Sequence, residues 1–307
     1  MMNLIKKLAM IGIFFAILCF PELSITGSKD GLLLWYDTVV PTLLPFIILS
    51  NTLVSVDAIG YFTYLFYPIY KIIPRLLDSF ASLFVIGFFC GYPMGAKMID
   101  DFVAHGKMSR SQGTFLLCIC NNASPMFLTG YVGIAVLKRS ISIPILLFCI
   151  YFPVFAFLII GAILRPSLIL TPKYQMPTYI EKPFSDEMDV MADSFAVILK
   201  IGGYIMLFSI LARFLLTLPV ADYPLKAFLL GISEVTTGVR YLSLLPLPLI
   251  KKTALIGAAV SFGGLSSVAQ TKSVLSRSKL SIVPYIIVKL FLSCCTFFLI
   301  QGYYFFF

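Results

Sequence analysis

Glu234 stands in Leu229-Leu230-Gly231-Ile232-Ser233-Glu234-Val235-Thr236-Thr237-Gly238, a polar island inside an apolar segment. An ionised carboxylate at the centre of a bilayer costs about 2.5–3.5 kcal/mol on insertion scales. A carboxylate in that setting is a functional candidate: it can carry a proton or hydrogen-bond a solute. A structural pair with a nearby cation, or a helix end at the interface, is the competing reading. Three other stretches break apolar segments in the same way. The first is Gly87-Phe-Phe-Cys-Gly91-Tyr92-Pro93-Met94-Gly95-Ala96-Lys97. The second is Asn121-Asn122-Ala123-Ser124-Pro125, and the last is Ser261-Phe-Gly-Gly-Leu-Ser266-Ser267, followed by Gln270 and Thr271. Gly and Pro interrupt the backbone hydrogen-bond ladder. In lipid such a gap is tolerated where it is buried in protein or lines a wet cavity.

Broken, polar-flanked membrane helices mark the solute or ion site of transporters. The expected solute site is therefore Gly91, Tyr92, Pro93, Gly95 and Lys97, with Asn121, Asn122 and Ser124. From the later breaks it takes Glu234, Thr236, Thr237, Ser266, Ser267 and Gln270. Lys97, beside freed backbone N–H groups, suits a carboxylate or phosphate, or else snorkels to the interface. The amides and hydroxyls suit neutral groups or the oxygens of an anion. A helix kink or a tight helix contact through small residues is the alternative for each single break. Lys200, Arg213, Arg240 and Lys289 are also embedded, and most read as snorkelling ends.

Enzyme signatures are missing. His105 is the single histidine and falls in a polar turn, so neither a zinc-protease pair nor a Ser-His pair can be built. The chain lacks a Gly-x-x-x-x-Gly-Lys-Ser/Thr loop, so any transport is secondary or facilitated. Seven cysteines lie in apolar stretches without a Cys-x-x-Cys pair and read as buried free thiols. No catalytic residue, metal or cofactor is expected.

The elements that must hold these residues are membrane helices. The 307 residues are 60% hydrophobic and 12% charged, against about 25% charged in a soluble domain. Mean hydropathy is +0.99. A net charge of +9 spread over short loops reads as positive-inside topology. Basic runs do not interleave with exposed aromatics, which argues against nucleic acid. The fold expected is all-α: a polytopic membrane protein of two related halves, with broken or re-entrant helices meeting at a central site.

Residues 1–30 hold an N-terminal membrane helix, Leu8 to Phe20, that resembles a signal peptide but lacks its cleavage pattern. Residues 31–164 form a first repeat. Within it Trp35, Tyr36 and Asp37 read as interfacial, Thr42 to Val56 as helix, and Tyr61 to Ile73 as amphipathic or re-entrant. Ser109 is placed to cap a helix after the turn at His105. Residues 165–190 are a hydrophilic, Pro-rich linker. Residues 191–307 form the second repeat. There Gly231 to Gly238 stands for Gly87 to Gly95, Ser261 to Ser267 for Asn121 to Pro125, and Ser281-Ile-Val-Pro284 for Ser142-Ile-Pro144. Whether the repeats are inverted or parallel depends on how many times each crosses the membrane.

The motifs Gly91-Tyr-Pro-Met-Gly-Ala-Lys97, Cys120-Asn-Asn-Ala-Ser-Pro-Met-Phe127 and Gly231 to Gly238 resemble the sporulation integral membrane protein YlbJ family. That family is grouped with the nucleoside-recognition Gate domains, related to concentrative nucleoside transporters. The resemblance runs from about Val40 to the C-terminus. It implies a bacterial multi-pass membrane protein acting in endospore formation and moving dipicolinate, a small aromatic dicarboxylate, across the outer forespore membrane. A nucleoside-type solute, and a non-transporting scaffold or regulator of spore formation, remain the alternatives. The partners expected are a small-molecule solute, membrane lipid and a coupling proton or cation, with a homo-oligomer left open.

Overall fold

The computed structural model describes residues 2–56, 58, 78–168, 187–217 and 223–306. The segment Tyr61 to Ile73 and most of the Pro-rich linker lie outside these residues. Every regular element among the described residues is helical. Four helices are long and apolar enough to cross a membrane, or five if one bent pair counts as a span. The chain is an integral membrane protein.

Helix α1 (Met2–Cys19) is followed by α2 (Pro21–Leu34), and the chain turns by 104° between them at Phe20. Pro21 is suited to this place, because the first helical position needs no N–H partner. Helix α2 does not stop at the expected interfacial residues. It passes through a π-helical turn, Trp35–Val39, directly into α3 (Val40–Ser55). The Trp35 indole donates to the Ile198 carbonyl at 2.9 Å, which ties this turn to the long helix α8 (Glu187–Thr217). A Cβ on Gly31 would lie 2.9 Å from the Met206 α-carbon, so α2 and α8 meet backbone to backbone.

The first break separates α4 (Asp78–Cys90) from α5 (Met94–Ala104). The second separates α6 (Arg110–Cys120) from a π-helical segment, Phe127–Val136, and α7 (Ile143–Leu164) then spans. Ser109 caps α6 as expected: its hydroxyl accepts from the Gln112 N–H at 3.2 Å, and the Gln112 side chain accepts from the Ser109 N–H at 2.9 Å. The third break, at Glu234, lies between α9 (Tyr223–Ser233) and α10 (Val235–Ser243). The fourth, at Gly263, lies between α11 (Leu249–Phe262) and α12 (Gly264–Val274), and α13 (Val283–Phe306) follows.

The breaks are of two kinds. Residues seven or eight apart in a straight helix are about 10.5–12 Å apart. Yet a Cβ on Gly238 would sit 2.3 Å from the Gly231 α-carbon, and one on Gly95 would sit 3.2 Å from the Gly87 α-carbon. Helices α4/α5 and α9/α10 therefore double back as helical hairpins. By contrast α11 and α12 together still make one 26-residue span. That span is 72% buried, against 28% for the span in α13. The broken helix is central and α13 is peripheral. The outer face of α13 presents Val283, Ile287, Leu290, Phe291 and Phe298, and that of α7 presents Phe148, Phe152, Ile160 and Ile163. These helical-period apolar stripes suit lipid. Of the cysteines, Cys90, Cys118, Cys120 and Cys149 are buried as expected, whereas Cys19 and Cys294 face outward.

Candidate functional site

The four breaks meet. The Tyr92 N–H donates to the Asn122 carbonyl at 3.0 Å, which joins the first break to the second. Gly87 and Gly95 make this fit possible, since a Cβ on either would fall 1.8 or 2.1 Å from the Cys120 carbonyl oxygen. The Tyr131 hydroxyl, on the π-helical segment, donates to the Thr236 carbonyl at 2.6 Å and ties the second break to the third. A Cβ on Gly264 would sit 3.1 Å from the Val235 nitrogen, and one on Gly263 would sit 3.5 Å from the Tyr92 ring. The fourth break therefore touches both the third and the first. Gly263 and Gly264 have φ of +85° and +75°, a left-handed conformation that glycine adopts at no steric cost.

At the junction is a cavity of about 40 Å³. Tyr92, Ser124, Glu234, Thr236, Ser266 and Gln270 supply its polar lining, with Gly91 beside them. Each break thus gives at least one of its expected residues to the same small space. Glu234 is 1% exposed and is the N-cap of α10. Its two carboxylate oxygens accept from the Thr236 N–H at 2.9 Å and the Thr237 N–H at 2.6 Å. A negative group at a helix N-terminus meets both the unpaired N–H groups and the positive end of the helix dipole. Among the described residues Glu234 has no ion-pair partner. Gln270, 3% exposed, donates to the Ser266 hydroxyl at 3.3 Å and leaves its side-chain oxygen without a partner.

Other expected residues support the cavity without lining it. Asn121 donates from its side chain to Thr271 Oγ1 at 2.8 Å and to the Tyr285 hydroxyl at 3.0 Å. Asn122 accepts at its side-chain oxygen from Lys289. The Thr237 hydroxyl lies 3.2 Å from that of Ser209, and Ser267 donates to the Gly264 carbonyl at 2.9 Å. Gly95 is a packing residue against Cys120.

Pro93 and Lys97 line a second, larger cavity of about 530 Å³, together with Asp193, Lys200, His105 and Arg277. Lys97 pairs with Asp193 of α8 at 3.2 Å, with the two side chains 38% and 45% exposed. Arg277 pairs with Asp101 at 3.1 Å. Tyr92 lines the small cavity and Pro93 the large one, so the first break stands between them.

Several residues were not legible as parts of this site. Lys289 is 2% exposed and bonded into the junction, not snorkelling outward. Its position in the second turn of an apolar helix, rather than at the end, was the available signal. Asp100 is 2% exposed and accepts from the Arg277 and Ser278 N–H groups at 3.1 and 2.9 Å, and from the Ser278 hydroxyl. It holds the turn after α12 against α5. The Tyr151 hydroxyl donates to the Ala123 carbonyl at 2.8 Å and steadies the second break from α7.

The chain is similar to the sporulation integral membrane protein YlbJ of Bacillus subtilis (strain 168). The two are 25% identical over 309 aligned positions, which cover 88% of this chain and 75% of that protein. This similarity bears out the resemblance carried by the motifs. No protein-family model matches the chain, and no solved structure matches it.

Proposed function

We propose that this chain is a secondary or facilitated transporter of a small anionic solute in a spore-forming bacterium. Dipicolinate crossing the outer forespore membrane is the solute of choice. The observation that carries this reading is the convergence of four backbone breaks on one small cavity, to which each break gives a polar side chain among apolar walls. Irregular backbone at membrane depth belongs where it lines a cavity, and paired broken helices are how transporters build a midplane site.

The element order supports two related halves. Residues 78–164 run hairpin, interrupted helix, spanning helix, and residues 223–306 run in the same order. An anion is favoured because α5 and α12 begin at the junction with their positive ends there, whereas the start of α10 is already capped by Glu234. The larger cavity, across the first break, carries Lys200 together with Lys97 and Arg277, each of the last two paired with an aspartate. The relative's name places it in sporulation, and a dicarboxylate fits two positive helix ends better than one.

A cavity of about 40 Å³ has room for about three to four waters at most, given that one water needs roughly 10–15 Å³ of such volume. The described conformation is therefore closed, and the hairpins part to admit an aromatic dicarboxylate. The test is uptake of radiolabelled dipicolinate by vesicles reconstituted with the purified protein, against protein-free vesicles, with uridine in parallel. Dipicolinate accumulation or counterflow is the expected result. Uridine uptake alone would move the chain to the nucleoside reading. Neither solute moving, with folded protein in the vesicles, would leave the scaffold or regulator reading.

A further inference from the structure

Lys289 is enclosed in the junction, and its two hydrogen-bond partners, one a side-chain amide oxygen and one a backbone carbonyl, lie at the ends of two broken helices. Helix α6 ends at Cys120 and α11 at Phe262. The last carbonyls of a helix lack partners and carry the negative end of its dipole. Lys289 Nζ donates to the side-chain oxygen of Asn122, just past the end of α6. It also donates to the carbonyl of Ser261, in the last turn of α11, at 3.4 Å. The Tyr285 ring lies below it, 5.7 Å from Nζ to the ring centroid, within the range of a cation–π contact. Among the described residues no carboxylate pairs with it. Its partners are thus neutral oxygens and a ring face, a set of the kind that holds a small cation.

In transporters with discontinuous helices, unwound carbonyls and half-helix C-termini coordinate the coupling ion. We infer that the Lys289 ammonium is a resident cation in the place a coupling sodium or potassium ion would take, bridging the second and fourth breaks. The junction then holds together, and takes its solute, without a dissociable metal cation. This inference rests on the transport reading for the word coupling, and on geometry alone for the cation site.

The test uses no solute, so its outcome is independent of whether dipicolinate is transported. Thermal unfolding of the detergent-purified protein is followed at constant ionic strength in sodium, potassium or choline chloride. The wild-type midpoint is expected to be the same in all three. Lys289→Ala removes the chain beyond Cβ, which is the size of propylammonium. Its midpoint is expected to fall by on the order of 5–10 °C and to recover with propylammonium chloride but not with propanol. Where the variant is too unstable to purify, propylammonium is present throughout and then dialysed away, and the midpoint falls as it leaves. Lys289→Met, which fills the space without a charge, is expected not to respond to propylammonium. A wild-type midpoint raised by sodium or potassium over choline overturns the inference. So does recovery of Lys289→Ala by propanol as well as by propylammonium, or by neither.

Discussion

A side chain on Gly238 would begin 2.3 Å from the α-carbon of Gly231. The same relation joins Gly95 to Gly87, at 3.2 Å, in the earlier hairpin. At both places two half-helices meet with no atom between their backbones. This contact lets each hairpin reach the junction, since the residues between the glycines, Gly91 and Tyr92 in one and Glu234 in the other, line the cavity.

Gly238→Ala and Gly95→Ala are expected to destabilise the protein. The obstructing atoms are backbone, namely the Gly231 α-carbon and the Cys120 carbonyl, and cannot swing aside as a side chain would. Overpacking of this kind costs roughly 1–3 kcal/mol or more. Gly203→Ala, where nothing lies within 4 Å, is the control and should be neutral or slightly stabilising in its helix. Fluorescence-detected gel filtration of heated detergent extracts reads all three. Equal melting of Gly238→Ala and Gly203→Ala would show that the hairpin is open in the membrane.

Lys97 is expected to act on rate rather than stability. Its pair with Asp193 is partly exposed, and such pairs contribute about 0–1 kcal/mol. Lys97→Gln should therefore melt almost as the wild type does. Dipicolinate uptake should slow most at low salt, because the side chain lines the larger cavity and its field is screened over about 10 Å at 0.1 M salt. Initial rates at two ionic strengths check this. A loss that is the same at both would make Lys97 a direct ligand of the solute.

The four interruptions were legible because Gly, Pro and Asn in an apolar run conflict with the run's own helical pattern. That conflict put Gly91, Ser124, Glu234 and Gln270 on one list, and all four line one cavity. Lys289 was not legible. A lone lysine in the second turn of an apolar helix still reads as snorkelling, and the direction of its side chain depends on the packing of α13 beside Asn122 and Ser261. Asp100 was hidden for the opposite reason. It sits in a polar stretch with Asp101, where a carboxylate looks ordinary, and its burial comes from a loop 177 residues later in the chain. The bend at Phe20 and the docking of α2 on α8 are likewise set by long-range contacts of small residues such as Gly31, which local pattern does not register.

Asp100→Ala is expected to be among the more damaging substitutions away from the cavity. It would strand two backbone N–H groups and one hydroxyl in a buried turn. Leaving a buried donor unpaired costs about 1–3 kcal/mol. Asp100→Asn keeps one acceptor and should fall between. The melting midpoints of the two variants should rank accordingly. An Asp100→Ala protein as stable as the wild type would mean that water reaches this turn and replaces the carboxylate.

Glu234 combines two tasks that substitution can separate. As the N-cap of α10 it accepts two backbone N–H bonds, and as a cavity residue it faces the space where the four breaks meet. Glutamine has one oxygen and can keep one of the two bonds. Glu234→Gln should therefore fold, with a loss of roughly 1–2 kcal/mol from the bond that is broken. It cannot exchange a proton, so it should still bind dipicolinate and support exchange between two pools, while losing accumulation driven by a pH gradient. Aspartate is a good N-cap and remains titratable, so Glu234→Asp should keep the stability and part of the driven uptake. Alanine removes both acceptors and should fail in stability and transport together. The measurements are melting midpoints, dipicolinate exchange, and uptake with an imposed pH gradient. Driven accumulation by Glu234→Gln at the wild-type level would confine Glu234 to the cap and place the coupling elsewhere.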